Sequence, residues 1–328
     1  MGFLAGENLQ PNRLEAEYRR LRQSSAEIVD LTCSNATAHG LLFPASILEQ
    51  AAQRYFSARR YEPDAQGLLC ARQAVASYYS CREPALDIRP EQVVITAGTS
   101  ESYALLFSLL CDPGDDILGP QITYPLFEMF AAHARVNYRH YQSAPQEGID
   151  GASFEQIFSP RAKAVLFVSP HNPTGCVVER ASSAVQQTGI AVICDEVFAD
   201  FPCRLRAVPP VSLFYTEQPV FLLNGISKMC ALPDLKLGWI AMNGPACERF
   251  GERLAMLNDC FLSASTLTQS MLPEIISESR DFRAGLRAHV RENIGYALGR
   301  LAENSLIDTP LPDGGTFLFP SINAAIDE

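Results

Sequence analysis

IAVICDEVFADF, residues 190–201, decides the fold: an unbroken apolar run ends on two consecutive acids, Asp195 and Glu196. A strand that is apolar at every position, not at alternate ones, needs cover on both faces. The pattern recurs on either side. AVLFVS (164–169) precedes it, VFLLNGI (220–226) and LGWIAMN (237–243) follow, and QVVIT (92–96) and DDILG (115–119) lie upstream. Helix-like stretches such as 99–111 and 179–188 separate these runs, so the alternation predicts an α/β fold around a mostly parallel central sheet. Chemistry in such a sheet belongs at the C-terminal ends of its strands.

At 328 residues and 47% hydrophobic, the chain can bury a large core, as one big domain with a smaller companion or as two comparable domains. Its 26 Lys and Arg against 37 Asp and Glu give a net charge of −11, with no basic block to follow a phosphate backbone, which argues against nucleic acid as a partner. The ten cysteines are scattered, the nearest pair being Cys194 and Cys203, so no metal or redox spacing is present. Reduced cytoplasm is the expected location. The N-terminal MGFLAGENLQPNRLEAEYRRLR lacks the apolar stretch of a signal peptide, and no run reaches membrane-spanning length.

The strand ends carry the chemistry. After QVVIT comes AGTSESYALLF, in which Gly98 allows close backbone approach and Thr99 and Ser100 open a helix, a seat for an anion such as phosphate or simply an N-cap. DDILGPQITYP places Tyr124 between a strand and a helix that Pro125 can open, with its ring free to lie on a planar ligand or to serve as rim packing. AVLFVSPHNPTG aims Asn172 off a Pro/Gly turn. Asp195 closes an apolar strand, where a carboxylate needs a cation or several donors. In NGISKMCALPDLKLGW (224–239), Lys228 follows Ser227 just beyond a strand, and Lys236 lies eight residues on. A strand-end lysine is most often a solvated surface group; one that forms an imine needs partial desolvation or a nearby positive charge, which Lys236 can supply. Together these residues meet the protein-side requirements of pyridoxal 5'-phosphate: a phosphate seat, a stacking ring, an amide, a carboxylate for a ring nitrogen and an amine.

In the order of its motifs the chain closely resembles the class I/II, fold-type I aminotransferases of the aspartate aminotransferase superfamily. The resemblance runs through YEPDAQG with Tyr61, AGTSE, DPGDDILGPQITYP, PHNPTG, ICDEVF, SKMCALPDLKLGW and PDGGTFLF. It implies a pyridoxal phosphate enzyme in which Lys228 holds the cofactor as an aldimine and, once freed, moves the substrate proton. It further implies that Asp195 keeps the ring nitrogen protonated, that Asn172 bonds the phenolic oxygen, and that Tyr124 stacks on the ring. Gly98, Thr99, Ser100, Ser227 and Lys236 would hold the phosphate. Tyr61 matches a tyrosine that reaches the neighbouring subunit's site, so a homodimer is implied.

Three departures stand out. Phe198 replaces the tyrosine that usually follows Asp-Glu-Val, removing one donor to the phenolic oxygen. Gly225 replaces a hydroxyl three residues before the lysine, and Lys236 an arginine, so the phosphate is gripped by fewer and less fork-like donors. The chain also ends before the arginine that in relatives clamps the substrate carboxylate. The expected organisation is an N-terminal arm with part of a small domain (1–40), a large cofactor-binding domain (41–294) and the start of an incomplete α+β small domain (295–328).

The implied function is transfer of an α-amino group between an amino acid and a 2-oxo acid. Alternatives are a β-lyase or decarboxylase of the same fold, or a truncated non-catalytic cofactor-binding protein. A nicotinamide dehydrogenase is disfavoured, because no GxGxxG follows a strand. Arg54, Arg59, Arg60 and Arg72 read as surface charge rather than as recognition of an acidic side chain. His39 and His171 receive no catalytic role, and no metal is expected.

Overall fold

A computed structural model describes residues 10–24, 27–29, 31–262 and 264–323. The strands are β1 (Val93–Thr96), β2 (Asp116–Pro120), β3 (Asn137–Tyr141), β4 (Ala162–Val168), β5 (Ala191–Asp195), β6 (Val220–Gly225) and β7 (Gly238–Met242). They form one seven-stranded sheet in the order β1-β7-β6-β5-β4-β2-β3. Pairing is parallel from β6 through β5, β4 and β2 to β3. β7 lies between β1 and β6 and runs antiparallel to both, so β1 has the same sense as the rest. The C-terminal ends of all the parallel strands therefore share one edge.

The unbroken apolar runs have a direct cause: alternate residues of each strand enter two different cores. Val165, Phe167, Val192, Cys194, Leu222 and Trp239 join one, whereas Ala164, Leu166, Ile193, Phe221, Leu223 and Ile240 join the other. Away from the edge strand β3, neither face of the sheet meets water, so period-2 geometry leaves few polar positions. In chain order, the helices are α1 (Arg13–Gln23), α2 (Ala45–Ser57), α3 (Leu69–Ser80), α4 (Thr99–Leu110), α5 (Leu126–Ala134) and α6 (Gly151–Ile157). The single turns α7 (Ser183–Gln186) and α8 (Ile226–Met229) follow, then α9 (Gly244–Asp259), α10 (Thr266–Glu278) and α11 (Arg280–Leu301). The first core is covered by α2, α3 and α10, and the second by α4, α5 and α9. A short pair, β8 (Ile307–Asp308) and β9 (Ser321–Ile322), is antiparallel.

The expected helix at 179–188 is only the single turn α7, and the strand β3 had no counterpart in the sequence reading. β3 is an edge strand whose sequence, NYRHY, is mostly exposed, so it lacks the apolar signature of its neighbours. Arg72 also corrects the surface reading. It is buried, donating to the Gly67 carbonyl at 2.9 Å and the Pro90 carbonyl at 3.2 Å and pairing with Asp64 at 2.9 Å. Arg54 and Arg60 are exposed and pair with Glu274 and Glu62. Among the described residues, no helix is long and apolar enough to cross a membrane.

β6 and β7 meet at Gly225 and Gly238, which are partners in register. A Cβ on Gly225 would lie 2.7 Å from the Leu237 carbonyl oxygen. Gly225→Ala should therefore force the two strands apart and cost about 1–3 kcal/mol, the usual scale of overpacking. Urea unfolding of the variant measures this, and an unchanged midpoint would contradict the packing account.

Candidate functional site

At the common edge three glycines meet backbone to backbone. Thr96, the last residue of β1, pairs with Gly238, and Gly238 pairs with Gly225 on its other side. A Cβ on Gly238 would come within 2.9 Å of the Gly98 Cα. Gly98 has φ +146° and caps α4, so Thr99 and Ser100 form the first turn, whose N–H groups have no acceptor within the helix. Behind this floor the Thr96 and Ser102 hydroxyls bond each other at 2.9 Å. The Ala97 N–H donates to the Glu101 carboxylate at 2.5 Å.

Lys228 and Ser227 sit on the single turn α8, which leaves β6 directly from Gly225. The turn is anchored to the next strand by the Ile226 N–H, which donates to the Leu237 carbonyl at 3.2 Å. Lys228 is half-buried, and its Nζ lies 5.9 Å from the centre of the Phe198 ring. Lys236 stands one residue before Leu237, exposed, with φ +49°. The glycine that replaces the expected hydroxyl thus has a steric reason, since position 225 has no room for a side chain.

Asp195 ends β5, in register with Val168 of β4 and Leu223 of β6. It is 7% exposed; its Oδ2 accepts the Tyr103 hydroxyl at 2.5 Å and its Oδ1 the Val197 N–H at 2.9 Å. Burial pushes its carboxyl up to about 6, against the opposing pull of these two donors; Glu196 adds to the rise and the Lys228 charge draws it down. Glu196 is buried as well but has a full counter-ion: Arg82 pairs with it at 2.7 Å, and the Tyr79 hydroxyl donates at 3.3 Å. Burial still holds the Glu196 carboxyl above its usual range.

Asn172 is half-buried in a turn closed by the Gly175 N–H on the His171 carbonyl at 2.7 Å. Position 175 has φ +72°, and a Cβ there would lie 2.4 Å from Pro312, so the PDGG segment docks on the NPTG turn. Gly314 donates to the Gly175 carbonyl at 3.1 Å, and Asp313 accepts the Val177 N–H at 3.1 Å. Beyond it Phe317 meets Phe198 edge-on at 5.6 Å. His171 is buried, its Nδ1 is 2.8 Å from the Thr174 hydroxyl, and desolvation lowers its pKa to about 4.

Tyr124 is 45% exposed at the start of α5 and packs edge-on against Phe127 at 5.9 Å. Tyr61 is 70% exposed between α2 and α3. The structure thus gathers Gly98, Thr99, Ser100, Asn172, Asp195, Ser227 and Lys228 at the ends of β1, β4, β5 and β6. Tyr61 is on the exposed surface. The sequence reading missed Tyr103 and the Arg82–Glu196 pair. Tyr103 lies four residues after Thr99, one turn along the same helix face, and that spacing was its available signal. Arg82 carried none, since its partner is 114 residues away.

A mostly parallel sheet that ends in an acid on one strand and a lysine just past the next, beside bare glycine backbone, is the fold-type I arrangement of pyridoxal phosphate enzymes. The chain belongs to the aminotransferase class I and II family, whose model matches residues 26–327. Members of that family carry pyridoxal 5'-phosphate. The chain is 28% identical over 277 residues to the probable aminotransferase TAT1 of Arabidopsis thaliana, covering 80% of this chain and 62% of that protein. It is likewise 28% identical over 281 residues to the S-alkyl-thiohydroximate lyase SUR1 of Arabidopsis thaliana, covering 81% of this chain and 60% of the relative. It therefore spans less than two thirds of these relatives' lengths. In fold it matches the alanine aminotransferase of Pyrococcus furiosus with a TM-score of 0.83 at 23% identity, covering 94% of this chain and 81% of that one.

The raised Asp195 pKa has a thermodynamic consequence. A carboxyl near 6 when folded, against 3.8 as its ordinary value, binds its proton more tightly in the folded chain. Its contribution to stability is present in full below about pH 4 and is lost as the pH rises through about 6. The gap of 6 − 3.8, about two pH units at about 1.36 kcal/mol each, corresponds to ~3 kcal/mol. An asparagine amide keeps the oxygen that accepts the Val197 N–H, and its NH2 can donate to the Tyr103 oxygen in place of the bond that hydroxyl gave. Asp195→Asn should therefore raise the stability of the cofactor-free chain by up to ~3 kcal/mol near pH 8, and by nothing below about pH 4. Urea titrations at both pH values decide it; a destabilised variant at the higher pH would refute the desolvation account.

Proposed function

We propose that this chain transfers an α-amino group between an amino acid and a 2-oxo acid, with pyridoxal 5'-phosphate held on Lys228. The observation that carries the reading is the convergence of Lys228, Asp195 and the bare Gly98–Gly238–Gly225 backbone on one sheet edge. The residues fit the cofactor in two respects. The open side of Gly98 and the first-turn N–H groups of α4 leave room for a phosphate close to main chain, and Asp195, bonded by two donors, is a desolvated carboxylate suited to a cationic ring nitrogen. When bound, pyridoxal 5'-phosphate supplies an electron-accepting ring that stabilises negative charge at the substrate α-carbon.

The chain's own residues divide the remaining work. Gly98, Thr99, Ser100, Ser227 and Lys236 would hold the phosphate, Asn172 would bond the phenolic oxygen, and Tyr124 would cover the ring face. Asp195 would keep the proton on the ring nitrogen. The Nζ of Lys228 would take and return the proton at the substrate α-carbon. Phe198 gives that amine a π face and no hydroxyl. On this reading the partners are small amino and 2-oxo acids and a second copy of the chain, whose Tyr61 would reach across a homodimer interface in the cytoplasm. Residues 41–294 would form the large cofactor domain, with 1–40 and 295–328 contributing to the smaller one.

The likeness to a lyase of the same family supports a second reading, in which a substrate bond is cleaved and no acceptor is needed. One experiment separates the two. The purified chain is loaded with pyridoxal phosphate and reduced with borohydride, and the modified residue is located by mass spectrometry; Lys228 is expected. Unreduced protein is then given alanine, aspartate, glutamate or tyrosine with and without a 2-oxo acid. Sustained keto-acid production that depends on the acceptor supports transamination, and production without it supports the lyase. Absence of label on Lys228 would refute both.

A further inference from the structure

Tyr103 lies one helical turn along α4 from Thr99 and is 2% exposed. Its ring is fixed by three phenylalanines: Phe127 edge-on at 4.8 Å, Phe130 stacked at 5.6 Å and Phe107 edge-on at 6.2 Å. So held, its hydroxyl reaches across to the Asp195 Oδ2 at 2.5 Å, while the Val197 N–H takes Oδ1 at 2.9 Å. The two donors grip opposite oxygens, one from a helix and one from the loop after β5. That geometry fixes both the position and the plane of the carboxylate.

We propose that Tyr103 is a positioning residue of the site: its hydroxyl fixes the Asp195 carboxylate and keeps it ionised in a dry environment, ready for a cationic ring nitrogen. The last clause rests on the function proposed above; the grip itself does not. The other groups facing Asp195 act in both directions. Cys194 precedes it on β5 and Glu196 follows it just past the strand end, Glu196 being tied to Arg82, and Lys228 acts on it from α8. Lys228 is half-buried and Glu196 opposes it, so a direct charge-assisted donor has a distinct task here. A ring that merely filled the space between α4 and β5 would be served equally by phenylalanine, which separates the two roles.

The test is the titration of Asp195 in the full cofactor-free chain carrying 13C-labelled aspartate, with the resonance assigned through Asp195→Asn. In Tyr103→Phe the midpoint should rise by about one to two pH units, the value of one hydrogen bond to a charged group. Phe127→Leu loosens the same ring cluster while keeping the hydroxyl and should leave the midpoint in place. Replacing tyrosine by 3-fluorotyrosine, a stronger donor of nearly the same shape, should lower it and provides the reading if Tyr103→Phe does not fold. An unmoved midpoint in folded Tyr103→Phe, an equal rise in Phe127→Leu, or no lowering with 3-fluorotyrosine overturns the proposal. The titration needs no cofactor. Failure to label Lys228 would therefore remove the proposed function without touching this result, and an unmoved midpoint would remove Tyr103's role with labelling intact.

Discussion

Backbone-to-backbone contact at Gly98, Gly238 and Gly225 is the constraint on which the sheet edge depends. β7 enters between β1 and β6 against the direction of both, and its first residue, Gly238, must fit beside the chain leaving each neighbour. Any side chain there would collide with main chain at about 3 Å or less. Because the three segments close so tightly, α8 is pinned through the Ile226 N–H to Leu237, and Lys228 projects from a turn with little freedom. Packing at positions without side chains thus fixes where Lys228 leaves the sheet.

The same edge holds two consecutive buried acids, and the fold treats them differently. Glu196 is given an arginine at 2.7 Å, a tyrosine hydroxyl and cation–π support for that arginine from Tyr78 and Tyr79. This is the neutralised burial that structural charges require. Asp195, one residue earlier, receives two neutral donors and no arginine. Its charge is solvated by dipoles but not cancelled, so unbalanced negative potential remains facing the lysine turn. The two cores on either side of the sheet offset the cost of keeping it there.

Legibility followed the range of the interactions. The two-sided strands were readable because burial on both faces prints itself on every residue, as in IAVIC. The placement of Asp195, Lys228 and Asn172 near strand ends was readable because each lies at the close of such a run or within four residues of it. β3 was not, since one paired edge leaves NYRHY polar, and Arg72 was misread because its acceptors, Asp64 and Gly67 in the loop before α3 and Pro90 after it, carry no pattern that marks them as its partners. Tyr103 was hidden for a related reason: the helix displayed its apolar face, while the hydroxyl's purpose lay on a strand 92 residues later. Sequence patterns report which surface a residue buries; they do not name the atom it will touch.

Phe198 and Phe317 complete the electrostatic picture. The PDGG segment is fastened to the NPTG turn through Gly314 and Asp313, with Arg204 holding Asp313 at 2.6 Å, and this brings Phe317 edge-on to Phe198. Phe198 in turn presents its ring toward the Lys228 amine. The lysine therefore stands between an aromatic wall and the field of a desolvated carboxylate. The phenylalanine that follows Asp-Glu-Val thus does more than omit a hydroxyl: braced by Phe317, it sets an aromatic face against the Lys228 amine.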